Sequence, residues 1–265
     1  ALDYALDRKQ GRSPVEGGTG TIVDHADVRR MLMTMKADIF AARAIALSCA
    51  YASDMARAGQ GEEWAARFAF LTPITKAFGT DTGIAISNMG VQVHGGMGFV
   101  EETGAAQFSR DVRVTAIYEG TNGIQAMDLV GRKMMDGGEA ANRLLDEIEA
   151  EAEAARGTFP RMADAVWQAT ETLREATEWL VAQKDMNQRF AGAVPYLHAF
   201  ARVLGGHLHL QAAMAEKSAG GSGAREKLAR FYIQRLLPEH AGLLAHAQAG
   251  AEDLYALDAE ALKAG

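Results

Sequence analysis

The feature that most constrains this chain is a three-four spacing of apolar residues, sustained over long segments that contain almost no proline. Residues spaced in this way share one side of an α-helix, so each such segment predicts an amphipathic helix. Only five prolines occur in 265 residues, and no series of alternating β-branched segments is present. We therefore predict an all-α fold. The first long segment, from about residue 24 to 59, carries apolar side chains at Val28, Leu32, Met35, Ile39, Ala42, Ala46 and Cys49.

A second long helix is predicted from Glu62 towards Gln92, after the glycines that end the first. Pro73 and Gly79 lie inside it and should kink or interrupt it, because proline lacks the backbone N–H and glycine is flexible. Asp24 is predicted to cap the first long helix. Two long helices joined by a short connection indicate an up-and-down bundle.

The second half of the chain predicts a further helical bundle. A helix is expected from Asn122 to Met135, and Asp136-Gly137-Gly138 predicts a boundary between a unit of residues 1–135 and an extension of residues 136–265. A final helical pair should be split at Pro238. Two apolar stripes predict long helices in the extension: Met162, Val166, Ala169, Leu173, Ala176 and Leu180, then Val194, Leu197, Ala201, Leu204 and Leu208.

Charge and composition argue against several classes of function. A formal net charge of -7 and a pI of about 5.5 disfavour a nucleic-acid partner, since phosphate binding needs a basic surface. The single cysteine, Cys49, falls in an apolar stripe and is interpreted as a core residue rather than a metal ligand or reactive thiol. We find no apolar run that approaches the length of a membrane span, and we expect a cytoplasmic protein with no metal site.

Two motifs make the chain specific. The first is Gln92-Val93-His94-Gly95-Gly96-Met97-Gly98-Phe99, and the second is Tyr118-Glu119-Gly120-Thr121-Asn122-Gly123-Ile124-Gln125. With Asp7-Arg8-Lys9-Gln10-Gly11 and Asp24-His25-Ala26-Asp27-Val28-Arg29 upstream, residues 1–135 resemble the C-terminal helical bundle of the acyl-CoA dehydrogenase family. The tail resembles the helical extension of its larger members, such as the 3-methylmercaptopropionyl-CoA dehydrogenases. The resemblance implies a C-terminal fragment, with two further domains of the family outside the chain.

Glu119 is the candidate catalytic residue. Removing a proton next to a thioester carbonyl needs a carboxylate held close to that carbon and partly desolvated, and Glu119 follows the apolar residues Ala116, Ile117 and Tyr118. The alternative is a glutamate that merely favours a helix dipole in the first turn. The resemblance implies that Glu119 takes the α-proton of an acyl-CoA while FAD accepts the β-hydride, giving a trans-2-enoyl-CoA. Tyr118 and Gly120 would then contact the substrate.

The other candidate residues concern the cofactor. Thr121 and Gln125 suit a flavin pyrophosphate at a helix start, although Thr121 is also an ordinary N-cap residue with Gln125 on the surface. The resemblance implies that Arg8, Gln92, Gly95 and Gly96 reach the FAD of a neighbouring subunit. The alternatives are a solvated arginine and a helix C-cap at the two glycines. If the resemblance holds, the enzyme is a homodimer or a dimer of dimers.

Three functions remain open from the sequence. The first is a dehydrogenase that acts on short to medium acyl-CoA substrates and passes electrons to an electron-transferring flavoprotein. The second is an acyl-CoA oxidase, in which reduced flavin reacts with oxygen. The third is a helical assembly module that kept the fold without the chemistry. His207 and His209, one residue apart, should point to different sides of a helix and are not interpreted as a metal pair.

Overall fold

The computed structural model describes residues 1–263 and confirms the all-α prediction. Extended backbone pairing within these residues is an isolated bridge between Lys9 and Thr21. Short 3-10 turns lie at Ile22–Asp24, Glu101–Thr103, Val114–Ala116 and Arg132–Met134. The α-helices are α1 (Leu2–Asp7), α2 (Ala26–Arg57), α3 (Glu62–His94), α4 (Gly96–Phe99), α5 (Ala105–Arg113), α6 (Asn122–Val130), α7 (Glu139–Ala155), α8 (Pro160–Ala182), α9 (Met186–Ala191), α10 (Ala193–Ser218), α11 (Ala224–Arg235) and α12 (Glu239–Ala247).

Helices α2 and α3 form the long hairpin predicted at the start of the bundle. The expected interruption at Pro73 or Gly79 is wrong, because α3 continues through both as one helix, whereas a kink there stays a prediction. Proline removes a single backbone hydrogen bond, and burial of apolar side chains on either side holds the helix together. Those side chains are Phe70, Leu71, Ile74, Ala77 and Phe78.

The predicted N-cap at Asp24 is also wrong. His25 occupies the N-cap position of α2. The Asp24 carboxylate is buried in the preceding loop, where it accepts hydrogen bonds from the Gly20 N–H at 2.9 Å and the Thr19 hydroxyl at 3.3 Å. Local loop donors compete with a helix N-terminus for a short acidic side chain, and here they bind it.

The buried side of α2 differs from the predicted stripe. Ile39 and Ala46 are exposed, whereas Ala41 and Ile45 are fully buried. Apolar residues surround this helix, so periodicity leaves the buried side ambiguous until its neighbours are known. By length and composition α2 also meets the criterion for a membrane span, with a window of mean hydropathy 1.2, although one side of it packs in the core.

Helix α10 is the centre of the second half, and it packs against α2, α3, α6, α7, α8, α11 and α12. Gly205 allows a close approach of α11, since a Cβ there would lie 2.3 Å from the Tyr232 hydroxyl. The α8 stripe is buried as predicted, but Val194 at the start of α10 is 44% exposed. One apolar core runs from Ala37 to Ala247, so the predicted units 1–135 and 136–265 share it, and their division stays a prediction.

Short elements surround the two motifs, and one of them differs from the prediction. Helix α6 ends at Val130 rather than Met135, since Gly131 leaves the helical conformation and a 3-10 turn follows. The segment from residue 95 to 121, between α3 and α6, contains the short helices α4 and α5. Pro238 precedes α12, as predicted, and residues 219–223 link α10 to α11.

Candidate active site

The turn that carries Glu119 has an unusual backbone conformation. Glu119 has φ of +56°, the left-handed conformation, and among residues 1–263 it is the one non-glycine residue with positive φ. Gly120 follows with φ of +82°. A side chain in this region costs about 1–2 kcal/mol, and such strain tends to persist where the surroundings enforce it. We call residues 118–121 the catalytic turn, after the role predicted for Glu119.

Two side chains hold the backbone of the catalytic turn. The Lys76 ammonium on α3 donates to the Gly120 carbonyl at 2.8 Å. The Gln125 amide on α6 donates to the Glu119 carbonyl at 2.9 Å. Both carbonyls of the left-handed pair are therefore satisfied by side-chain donors, which fixes where the Glu119 side chain begins. Gln125, predicted as a cofactor contact, supports the turn in this structure.

Asn122 connects the turn to α3. Its carbonyl oxygen accepts from Lys76 at 2.7 Å, and its amide donates to Asp81 at 2.7 Å and Thr80 at 2.9 Å. Sequence reasoning missed Lys76, Thr80 and Asp81. The available signal was a group of polar residues at four- and five-residue spacing within an otherwise apolar helix, but nothing local indicated which residues they would meet.

Asp81 also receives a hydrogen bond from the second half of the chain. His198 Nε2 on α10 lies 3.0 Å from Asp81 Oδ2. Burial raises the pKa of Asp81, but hydrogen bonds from His198 and Asn122 outweigh it, and the pKa falls below its usual value. Asp81 is therefore a stable carboxylate near neutral pH.

The surroundings of Glu119 are open. Glu119 and Thr121 are exposed, as are the apolar side chains Ile117 and Tyr118 before the turn and Ile124 after it. Thr121 is the N-cap residue of α6, and within the described residues its hydroxyl makes no capping hydrogen bond. The first N–H groups of a helix have no partner inside it. An acid, an apolar surface and anion-binding N–H groups therefore meet at one place.

Arg8, Gln92, Gly95 and Gly96 lie elsewhere. The rings of Tyr4 and His94 contact each other at 4.6 Å, which sets α1 and Arg8 beside the C-terminal end of α3. Gly95 is the C-cap of α3, with φ of +60°. Gln92 lies sixteen positions after Lys76 on α3, which places the two residues about 24 Å apart along the helix axis. The two groups of predicted cofactor residues are thus not brought together in one chain.

A third polar group lies in the bundle, where Glu147, Glu151 and buried His207 place ligand atoms within 4.8 Å of one another. Arg67 binds Glu147 through two hydrogen bonds, at 2.5 and 3.0 Å, and Gln211 donates to Glu151 at 2.6 Å. Each of the two carboxylates thus has a side-chain donor. Burial lowers the pKa of His207 to about 4, so its ring is neutral near pH 7. We interpret this group as structural.

Comparison with protein families assigns both halves of the chain. Residues 1–135 match the family described as "Acyl-CoA dehydrogenase, C-terminal domain", and residues 144–258 match "Acetyl-CoA dehydrogenase C-terminal like". The chain belongs to the acyl-CoA dehydrogenase family and corresponds to its C-terminal portion.

Individual relatives agree with this assignment. The chain is 40% identical over 258 residues to 3-methylmercaptopropionyl-CoA dehydrogenase of Ruegeria pomeroyi, a match that covers 90% of this chain and 44% of that protein. It therefore spans less than half the length of this relative. The fold is similar to Caenorhabditis elegans ACDH-11 in complex with C11-CoA, with a TM-score of 0.73 and 21% identity over 89% of this chain and 39% of that one. The fold is also similar to that of a Bacillus anthracis acyl-CoA dehydrogenase complexed with FAD, with a TM-score of 0.71 and 19% identity. This match covers 99% of this chain and 47% of that one.

Proposed function

We propose that this chain is the C-terminal part of an FAD-dependent acyl-CoA dehydrogenase that converts an acyl-CoA into the trans-2-enoyl-CoA, with Glu119 as the base. The observation that carries the proposal is the left-handed Glu119 at the tip of a turn whose two carbonyls are held by Lys76 and Gln125. Strain of this kind is uncommon for glutamate, and the exposed side chain of Glu119 is next in sequence to the exposed apolar residues Ile117 and Tyr118.

The residues of this chain fit the cofactor and the substrate. The N-terminus of α6 offers unpaired N–H groups and the uncommitted Thr121 hydroxyl to an anionic group such as the flavin pyrophosphate. Bound FAD would supply the acceptor for the β-hydride. Gln125 lies near the start of the same helix, and Tyr118 and Gly120, the sequence neighbours of Glu119, would contact the acyl thioester.

Glu119 acts as a positioned general base in this proposal. Its carboxylate takes the proton from the α-carbon, and the electron pair of the broken C–H bond forms the Cα–Cβ double bond as hydride leaves the β-carbon. The exposed side chain becomes desolvated when acyl-CoA and the remaining domains cover it, which strengthens a carboxylate as a base. A carboxylate fixed within reach of the α-carbon also avoids the entropic cost of orientation.

The separation of the two predicted cofactor groups supports an oligomer. Arg8, Gln92, Gly95 and Gly96 lie about 24 Å along α3 from the catalytic turn, so we propose that they serve the FAD of a second subunit, in a homodimer or a dimer of dimers. The proposed substrate is a short to medium acyl-CoA, in keeping with the name of the 40% identical relative. The proposed electron acceptor is an electron-transferring flavoprotein in the cytoplasm, a reducing compartment that suits the single buried Cys49.

Anaerobic reduction of the flavin tests this function. The full-length protein is mixed with a panel of acyl-CoA thioesters, and bleaching of the visible flavin absorbance is followed for the natural protein and for Glu119→Gln. We expect one class of acyl-CoA to bleach the natural flavin, and Glu119→Gln to bind FAD but reduce at least about 1000-fold more slowly. Glu178→Gln, an exposed glutamate on α8, is the matched control and should reduce normally.

Other results would favour the alternatives. Rapid reoxidation of the reduced flavin by oxygen, without need of an electron-transferring flavoprotein, would indicate an acyl-CoA oxidase. A full-length protein that binds no FAD, or a Glu119→Gln variant that reduces as fast as the natural protein, would rule out the proposed mechanism. The helical assembly module would then be the better interpretation.

A further inference from the structure

We propose that His198, in the C-terminal extension, is a positioning residue for the catalytic turn and acts through Asp81, Asn122 and Lys76. The inference rests on the proposed function for its catalytic consequence. It gives the extension a part in the chemistry of the bundle on which it packs, beyond filling a shared core.

A continuous line of hydrogen bonds carries the argument. His198 Nε2 lies 3.0 Å from Asp81 Oδ2, and the Asn122 amide donates to Asp81 Oδ1 at 2.7 Å. The Asn122 carbonyl oxygen accepts from Lys76 at 2.7 Å, and Lys76 donates to the Gly120 carbonyl at 2.8 Å. Four side chains on three helices thus connect α10 to the Gly120 carbonyl in the catalytic turn.

The chemistry of each member fixes the orientation of the next. Asp81 is an acceptor as a carboxylate, so His198 must place a ring N–H on it and Asn122 must turn its amide towards it. The oxygen of Asn122 then faces Lys76, an ammonium that can only donate. Lys76 is held in this way with a second N–H directed to the Gly120 carbonyl. Reversing the Asn122 amide would set its N–H groups against Lys76, so this orientation is the one that satisfies every group.

The catalytic turn needs such support because its conformation is unfavourable by itself. The left-handed Glu119 stays in place only while its surroundings outweigh the strain. His198 is itself fixed, since it is mostly buried and packs edge-on against Phe78 with ring centroids 6.2 Å apart. Phe78 and Asp81 both lie on α3. This helix therefore supplies both the ring against which His198 packs and the carboxylate that accepts its hydrogen bond.

The test compares His198→Ala, His198→Gln and His246→Ala in the full-length protein. In His198→Gln, the glutamine keeps a donor near the position of Nε2. His246→Ala is the control, because it replaces an exposed histidine of α12 that lies outside the network. Two quantities are measured: the limiting rate of flavin reduction with the affinity for acyl-CoA, and the hydrogen exchange of a peptide that covers residues 117–125. We expect His198→Ala to lower the limiting rate about tenfold with affinity and FAD content unchanged, and to speed the exchange.

Rescue separates positioning from general stability. His198→Gln should restore most of the rate and protection, and His246→Ala should change neither. If the natural protein is reduced and Glu119→Gln is not, but His198→Ala keeps the natural rate and exchange, the inference is wrong while the proposed function stands. If no acyl-CoA reduces the flavin, the proposed function fails, and exchange alone decides whether His198 fixes the turn. Should His198→Ala not fold, Asp81→Asn breaks the same line and gives the same readouts.

Discussion

At the scale of single residues, the unusual conformation of the Glu119–Gly120 pair is the central observation. Two consecutive left-handed residues reverse the chain immediately before α6 and present the glutamate side chain outwards. Glycine adopts this conformation at little cost because it lacks a Cβ, whereas the Cβ of glutamate makes the same conformation unfavourable. Strain is thus concentrated on the residue proposed to do the chemistry, and the neighbouring donors Lys76 and Gln125 hold it there.

Replacing Gly120 with alanine tests this strain. Gly120→Ala places a Cβ at φ of +82° and within 3.4 Å of the Gln125 amide, so we expect a loss of about 1–2 kcal/mol in the free energy of unfolding. Gly123→Ala is the control, because Gly123 lies in α6 with no atom within 4 Å of the added Cβ. That change should be neutral or stabilising by up to about 1 kcal/mol. Urea unfolding measures the free energy of unfolding of both variants. Equal changes in the two would show that the left-handed conformation at residue 120 adds no cost to an alanine there.

At the scale of helices, a buried arginine joins three elements that are far apart in sequence. Arg202 on α10 binds Asp38 on α2 at 2.5 Å and Glu239 on α12 at 2.8 Å. Burial raises the pKa of Asp38 despite the attraction of Arg202, so desolvation offsets much of what the ion pair contributes. The pair therefore specifies how these helices meet more than it adds to stability.

Removing one partner of this pair should be costly. We expect Arg202→Met to lower the free energy of unfolding by about 3–5 kcal/mol, because Asp38 is left buried without a counter-charge. The double variant Arg202→Met/Asp38→Leu should recover much of that loss, since no charge then remains to be buried. Arg230→Met, which breaks an exposed pair with Glu226, should cost less than about 1 kcal/mol. A double variant no more stable than Arg202→Met would contradict this account.

At the scale of the whole molecule, two neutral histidines lie within the central helix. Burial lowers the pKa of both His207 and His209 to about 4, and His209 packs between Phe40 and Tyr232 with Nε2 3.1 Å from the Ala37 carbonyl. Both histidines lie on one helix that contacts most of the others, so charging them would disturb the shared core. Burial by itself does not test the prediction that His207 and His209 do not form a metal pair, which stays a prediction.

Stability should therefore fall with acid over a defined range. The unfolded chain takes up protons on these histidines near pH 6.5, whereas the folded chain does so only near pH 4. This difference adds to the free energy of unfolding in full above pH 6.5. The added free energy, roughly 3 kcal/mol for each histidine, is lost as the pH falls from 6.5 towards 4. Urea unfolding at a series of pH values measures the slope. His209→Gln should make it shallower, and the exposed control His246→Gln should leave it unchanged.

The sequence by itself determined the all-α class, the positions of the long helices, and the motifs that carry the family resemblance, because helical periodicity, glycine stops and adjacent motif residues are local properties. Glu119, Thr121 and Gln125 were predicted as site residues in this way, and their roles stay proposals. Tertiary structure decided what no local pattern contains: that Pro73 stays within a helix, that Asp24 binds its loop, and that Glu119 is left-handed. It also joined Lys76 to Gly120 and His198 to Asp81, pairs 44 and 117 residues apart. Such partners depend on how whole helices pack, since burial and satisfied hydrogen bonds are settled only when distant surfaces meet.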